Sequence, residues 1–136
     1  MDRQIVLEKL ESLRRCLNRI EEKRPDKLER LQSDIDIQDI ITLNLTRAVQ
    51  LCVDIGAHVL TGTEKAPPAT MGETFEKLEE LGLIDSELLV RMKKAVGFRN
   101  IAIHGYDKID YEIVFQIIHK NLIDFKQYAQ AIVTSQ

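Results

Sequence analysis

Apolar residues recur at helical spacing along most of the chain. Val6, Leu10, Leu13, Leu17 and Ile20 alternate steps of four and three, which predicts a helix from about Arg3 to Glu22 with one buried stripe. Pro25 interrupts that pattern, and RPDKLERL reads as a short helix or turn. Ser33, with Asp36 three residues on, then reads as the cap of a helix that carries IQDIITLNLTRAVQLCVDIGAHVL to about Leu60. This run is apolar nearly all round, the pattern of a central helix with neighbours on several sides.

The segment TGTEKAPPAT cannot continue a helix and reads as an exposed loop. Thr70 and Glu73 form a capping box for a short helix ending near Leu81, with Gly82 as its stop. Asp85 or Ser86 caps the next helix, SELLVRMKKAV, which the pattern ends at Gly97. A last long helix from about Asp110 to Val133 presents Val114, Ile118, Leu122, Phe125, Ala129 and Ile132 on one stripe. No strand signal, internal repeat or low-complexity segment appears. The expectation is an all-α, up-and-down helical bundle with two long core helices, residues 1–136 forming a single domain.

Two features of the pattern need explaining. Within the apolar central helix stand Arg47, Asp54 and His58, whose spacings of seven and four place them on one face, Asp54 within reach of His58. They either line a functional cleft or form a buried polar group, with Arg47 as counter-ion, that fixes how the long helices pack. The second feature is AVGFRNIAIHGYDK, residues 95–108, which gathers Arg99, Asn100, His104 and Tyr106 between Gly97 and the last helix. Loops held between rigid helices are where functional groups tend to sit.

Composition narrows the function. The 136 residues carry 30% charged side chains and a formal net charge of -3, which excludes a protein that coats nucleic acid through bulk positive charge. Locally the balance reverses. From Arg91 to Lys108 stand five bases, Arg91, Lys93, Lys94, Arg99 and Lys108, against one acid, Asp107, a local charge of +4. An anionic ligand such as RNA belongs there, with Arg91, Lys93, Lys94 and Lys108 as its contacts. The N-terminus has no continuous apolar core, so it reads as neither signal peptide nor membrane anchor. Cys16 and Cys52 lack metal-ligand spacing, which argues against zinc and against a disulfide scaffold and for a reducing cytoplasm. The run SDIDIQD, with Asp34, Asp36 and Asp39, reads as the acidic first turn of a helix rather than a metal site. No metal or cofactor is expected.

Arg99 offers a fixed cation for phosphate oxygens, and His104 a group that moves protons near neutral pH. That pair suits RNA cleavage, in which a base deprotonates the ribose 2′-hydroxyl, a cation stabilises the phosphorane and an acid protonates the leaving 5′-oxygen. Asn100 can orient the arginine or the phosphate, and Tyr106 can stack on a base or donate a hydrogen bond. One copy supplies one histidine, and a two-fold axis would supply the second.

FRNIAIHGY resembles the R-x4-6-H signature of HEPN domains, and the tyrosine two residues after the histidine is similar to that of the HepT-like toxins of toxin–antitoxin pairs. The likeness extends to length, helix order and the motif's place before the last long helix. It implies a homodimeric, metal-independent ribonuclease with Arg99 and His104 as the catalytic pair and Asn100 as the polar residue beside them. It also implies a nucleotidyltransferase antitoxin that silences the toxin by transferring AMP onto Tyr106. Two other readings stand beside it: a non-catalytic HEPN module that binds nucleotide, RNA or the partner protein, and a structural dimer in which the cluster only holds helices together.

Overall fold

The computed structural model describes residues 2–135. Helix α1 spans Arg3–Lys23, and its carboxylate cap Asp2 accepts from the Gln4 N–H at 2.9 Å. Val6, Leu13, Cys16, Leu17 and Ile20 are buried, so the predicted stripe holds, with Leu10 only half-buried at its edge. A short α2, Leu28–Ser33, leads into α3, Ile35–Leu60. The cap of α3 is Asp34, which accepts from the Ile37 N–H at 3.1 Å. Ser33, expected in that role, is instead the last residue of α2.

Helix α3 is the axis of the bundle and touches α1 and α2 as well as the later helices α4, Met71–Glu80, α5, Ser86–His104, and α7, Leu122–Ser135. It is long and apolar enough to cross a membrane by length and composition, yet 56% of that stretch is buried inside the bundle. Its all-round hydrophobicity serves neighbours on several sides, as the pattern predicted. Thr70 caps α4 by accepting from the Glu73 N–H at 3.1 Å, and Asp85 caps α5 through Leu88 at 2.8 Å. Gly82 takes the left-handed conformation, φ 75°, that a side chain would resist.

The structure departs from the sequence expectation in α5. The helix passes Gly97 and ends at His104, so Arg99, Asn100 and His104 sit on a helix and not in a loop. Burial of Leu88, Met92, Val96 and Ala102 continues on both sides of the glycine, and this tertiary packing outweighs the ~1 kcal/mol helix penalty of glycine. The stop is Gly105, whose N–H donates to the Ile101 carbonyl at 2.8 Å. A 3-10 turn, Tyr106–Lys108, follows.

The last helix is also not uniform. α6, Tyr111–Gln116, passes through a π turn, Ile117–Asn121, before α7. A π turn leaves backbone carbonyls short of intrahelical donors. Here Arg24, at the end of α1, donates from Nη1 to the Ile118 carbonyl at 2.7 Å, and His119 Nε2 lies 2.8 Å from the Pro25 carbonyl. The buried stripe runs Val114, Ile118, Leu122, Phe125, Tyr128, Ile132, with Tyr128 in the core place predicted for Ala129.

Candidate active site

The site is built on the last turns of α5 where they pass the middle of α3. Arg99 is half-buried. Its Nη2 donates to Gln50 Oε1 and its Nη1 to Asn100 Oδ1, both at 3.2 Å. Gln50 in turn donates from Nε2 to Asp54 Oδ1 at 2.9 Å, one turn along α3. The amide orientation follows from its partners, since only the oxygen can accept from a guanidinium and only the nitrogen can donate to a carboxylate. Asp54 therefore acts on Arg99 at one remove, through Gln50. Both partners of the guanidinium are neutral amide oxygens, so the arginine is fixed while its charge stays uncancelled. Its Nε is shielded from solvent and has no hydrogen-bond partner.

His104 is exposed at the C-terminal end of α5. It lies five positions after Arg99, which on an α-helix is about 140° of rotation and roughly 7.5 Å of rise. The two side chains diverge from one helix. Asn100, one turn before His104, lies between them in angle and is exposed.

Tyr106 stands on the 3-10 turn, 51% exposed, and its hydroxyl donates to Asp39 Oδ1 on α3 at 2.5 Å. That hydrogen bond, with partial loss of solvent and the neighbouring Tyr111 phenol, holds the Tyr106 hydroxyl well above the usual phenol range. The bond ties the turn that follows His104 to the first third of α3.

The predicted trio on α3 separates. Asp54 and His58 do not bond to each other: Asp54 serves Gln50, while His58 Nε2 accepts from the Asp2 backbone N–H at 3.0 Å and anchors the start of α1. Arg47 is exposed and close enough to Cys16 to favour its thiolate, against the larger effect of burial, which raises that thiol. The expected contact fails because Asp54 pairs back along its own helix with Gln50 while His58 reaches the start of α1.

The basic residues divide as well. Lys93 pairs with Glu76 at 2.5 Å, and Arg91 Nε lies 3.1 Å from Asp124 Oδ1 with its Nη2 donating to Gln127 at 3.2 Å. Burial raises the Asp124 carboxyl, and Arg91 opposes the shift. Arg91, Lys94 and Lys108 rim a groove of about 610 Å³, floored by Leu45, Val49 and Phe98. Arg99 and His104 do not line this groove. Among the described residues, no three His, Cys, Asp or Glu side chains are grouped to hold a metal ion.

Sequence reasoning missed two residues, Gln50 and Asp39 as a partner of Tyr106. Gln50 lies four residues before Asp54, a helix-face signal that was available. Asp39 is 67 residues from Tyr106, and nothing local links them.

Residues 10–132 match the family described as Ribonuclease HepT-like. The chain is 32% identical over 128 residues to the mRNA nuclease HepT of Shewanella oneidensis, covering 94% of this chain and 96% of that protein. It is 28% identical over 129 residues to the tRNA nuclease HepT of Aphanizomenon flos-aquae, covering 94% and 87%. Among solved structures, the tri-AMPylated Shewanella oneidensis HEPN toxin in complex with MNT antitoxin superposes with a TM-score of 0.91 at 30% identity over 100% of both chains. A toxin–antitoxin structure with AMP-PNP gives 0.90 at 31% identity over 97% of this chain and 99% of that one. With the family match spanning most of the bundle and the Arg99–His104–Tyr106 cluster set at the end of α5, the chain belongs to the HepT-like ribonuclease family.

Proposed function

We propose that this protein is the toxin of a toxin–antitoxin pair, an endoribonuclease that works as a homodimer without metal and is silenced when a nucleotidyltransferase antitoxin transfers AMP onto Tyr106. The observation that carries the reading is the state of Arg99. A structural arginine at a helix end ordinarily meets a carboxylate, whereas this one is held by two neutral amides and keeps its full charge for a phosphate.

His104 is the proton carrier. Because Arg99 and His104 diverge on α5, one protomer presents half of a cleft, and a two-fold axis brings two arginines and two histidines to one phosphodiester. One His104 takes the 2′-hydroxyl proton, the 2′-oxygen attacks phosphorus, and the second His104 protonates the departing 5′-oxygen. The arginines stabilise the charge that gathers on the equatorial oxygens. The products are a 2′,3′-cyclic phosphate and a 5′-hydroxyl. Asn100 and Gln50 hold Arg99 in place, and Lys94 and Lys108 attract the RNA backbone from the neighbouring groove.

An adenylate on Tyr106, two residues from His104, adds bulk and negative charge at the mouth of the cleft and competes for Arg99. Expression of the chain is expected to arrest growth, and co-expression of the nucleotidyltransferase to relieve the arrest with AMP mapped to Tyr106. RNA incubated with the purified protein in EDTA is expected to yield 2′,3′-cyclic phosphate ends. Tight binding with no cleavage would instead mark a non-catalytic module.

A further inference from the structure

The bond from Tyr106 to α3 bears on how the modification takes place. Asp39 lies near the start of α3, and its carboxylate accepts the Tyr106 hydroxyl at 2.5 Å. A phenol 51% exposed on a surface turn can satisfy its hydroxyl with water, so a carboxylate at this distance is a stronger, charge-assisted partner than solvation requires. Asp39 has no comparable duty in the fold. The cap of α3 is Asp34, and the ion pairs of the chain do not include Asp39 among the described residues.

We propose that Asp39 is the general base for adenylylation of Tyr106, accepting the phenol proton as Tyr106 Oη attacks the α-phosphorus of a nucleoside triphosphate. This rests on the reading of Tyr106 as the AMP acceptor. The Oη–Pα bond forms and the bond from Pα to the bridging oxygen breaks, pyrophosphate leaves with that electron pair, and the phenol proton passes to Asp39 and then to water. The nucleotidyltransferase supplies the triphosphate and its divalent cation. In the resting protein the same bond raises the phenol above its ordinary range. The proton moves only as the oxygen becomes acidic in the transition state, which is the behaviour of a general base.

The arrangement also displaces the modified side chain. Once esterified, Tyr106 has no proton to donate, and its phosphodiester stands beside the Asp39 carboxylate. Two anions at that separation repel, which turns the modified side chain off α3.

The test uses the toxin with its nucleotidyltransferase partner, ATP and Mg²⁺, and follows intact mass with time from pH 6.5 to 9. Asp39→Asn is expected to lower kcat for AMP transfer about 100-fold at pH 7 while KM for the toxin stays within threefold. Helix content and melting temperature should stay near wild type. The ratio of wild-type to variant rate, in which the partner's own pH dependence cancels, should shrink as pH rises, because hydroxide replaces the missing base. Asp39→Glu should recover part of the rate. Tyr106→Phe provides the control for the acceptor site. If wild type accepts no AMP on Tyr106, the acceptor reading fails and the role of Asp39 fails with it. If wild type is modified there and Asp39→Asn reacts at the same rate with a pH-independent ratio, the role of Asp39 alone is overturned.

Discussion

Gly56 on α3 sits where α4 and α7 crowd the helix backbone, and Gly56→Ala measures how closely they pack. A Cβ at this position would lie 2.7 Å from Thr74 Cγ2 on α4, 2.7 Å from Tyr128 Oη on α7 and 3.0 Å from Leu78 Cδ1. Neither near neighbour can swing into solvent: Thr74 is 1% exposed and Tyr128 is 0% exposed. Tyr128 is held in addition by a 2.8 Å hydrogen bond to the Cys52 carbonyl and by the edge of Phe75, ring centres 5.5 Å apart. The methyl group must therefore push α4 and α7 outward from α3. Overpacking of this kind costs about 1–3 kcal/mol, and displacing a buried hydroxyl from its acceptor adds about 1–3 kcal/mol. The higher helix propensity of alanine returns about 1 kcal/mol. The net loss is about 1–5 kcal/mol, which for a chain of this length corresponds to a fall in Tm of roughly 3–18 °C. Thermal melts followed by circular dichroism give the answer directly. Gly97→Ala is the paired control, because its Cβ would meet nothing within 4 Å, and it should raise stability by about 0.5–1 kcal/mol. A Gly56→Ala protein that melts at or above the wild-type temperature would show that α4 and α7 take up the added methyl without cost.

Three further outcomes follow from the geometry. Gln50→Ala removes the brace between Arg99 and Asp54 and should slow RNA cleavage about 10- to 100-fold, with Tm changed by only a few degrees; single-turnover rates on a labelled RNA read this. Tyr128 is buried and its phenol is raised well above the usual value, so the folded state keeps the proton after the unfolded chain has lost it. Its contribution is fully present below about pH 10 and lost above it, at about 1.4 kcal/mol per pH unit, and urea titrations of Tyr128→Phe should show a shallower alkaline decline. Burial also raises the Cys52 thiol, so an aromatic disulfide reagent should react with it only at the rate of global unfolding, as a time course with and without urea will report.

The stripes of α1 and α3, the caps at Thr70 and Asp85 and the turn at Gly82 were legible because each is set by spacing within a few residues. Gly97 was misread as a stop because the packing that carries α5 onward comes from other helices. The π turn was invisible for the same reason, since the donor that satisfies Ile118 is Arg24, 94 residues away in sequence. In the candidate site, Arg99, Asn100, His104 and Tyr106 were singled out by their clustering and by the resemblance to the HepT-like motif. What each one touches was not. Gln50 reaches Arg99 across 49 residues and Asp39 reaches Tyr106 across 67, so these partners exist only once α3 and α5 have docked. Asp54 and His58 show the opposite error, in which helical spacing implied a contact that Gln50, one turn back on α3, and the start of α1 took away.

RNA cleavage by Arg99 and His104 is the proposed activity. The direct measurement is the single-turnover rate of wild type, His104→Ala and Arg99→Ala on one RNA in EDTA, each protein first shown to keep its helix content and Tm. The account predicts cleavage by wild type to 2′,3′-cyclic phosphate ends and losses of about 100-fold or more in both variants. Folded variants that cut at the wild-type rate would contradict it.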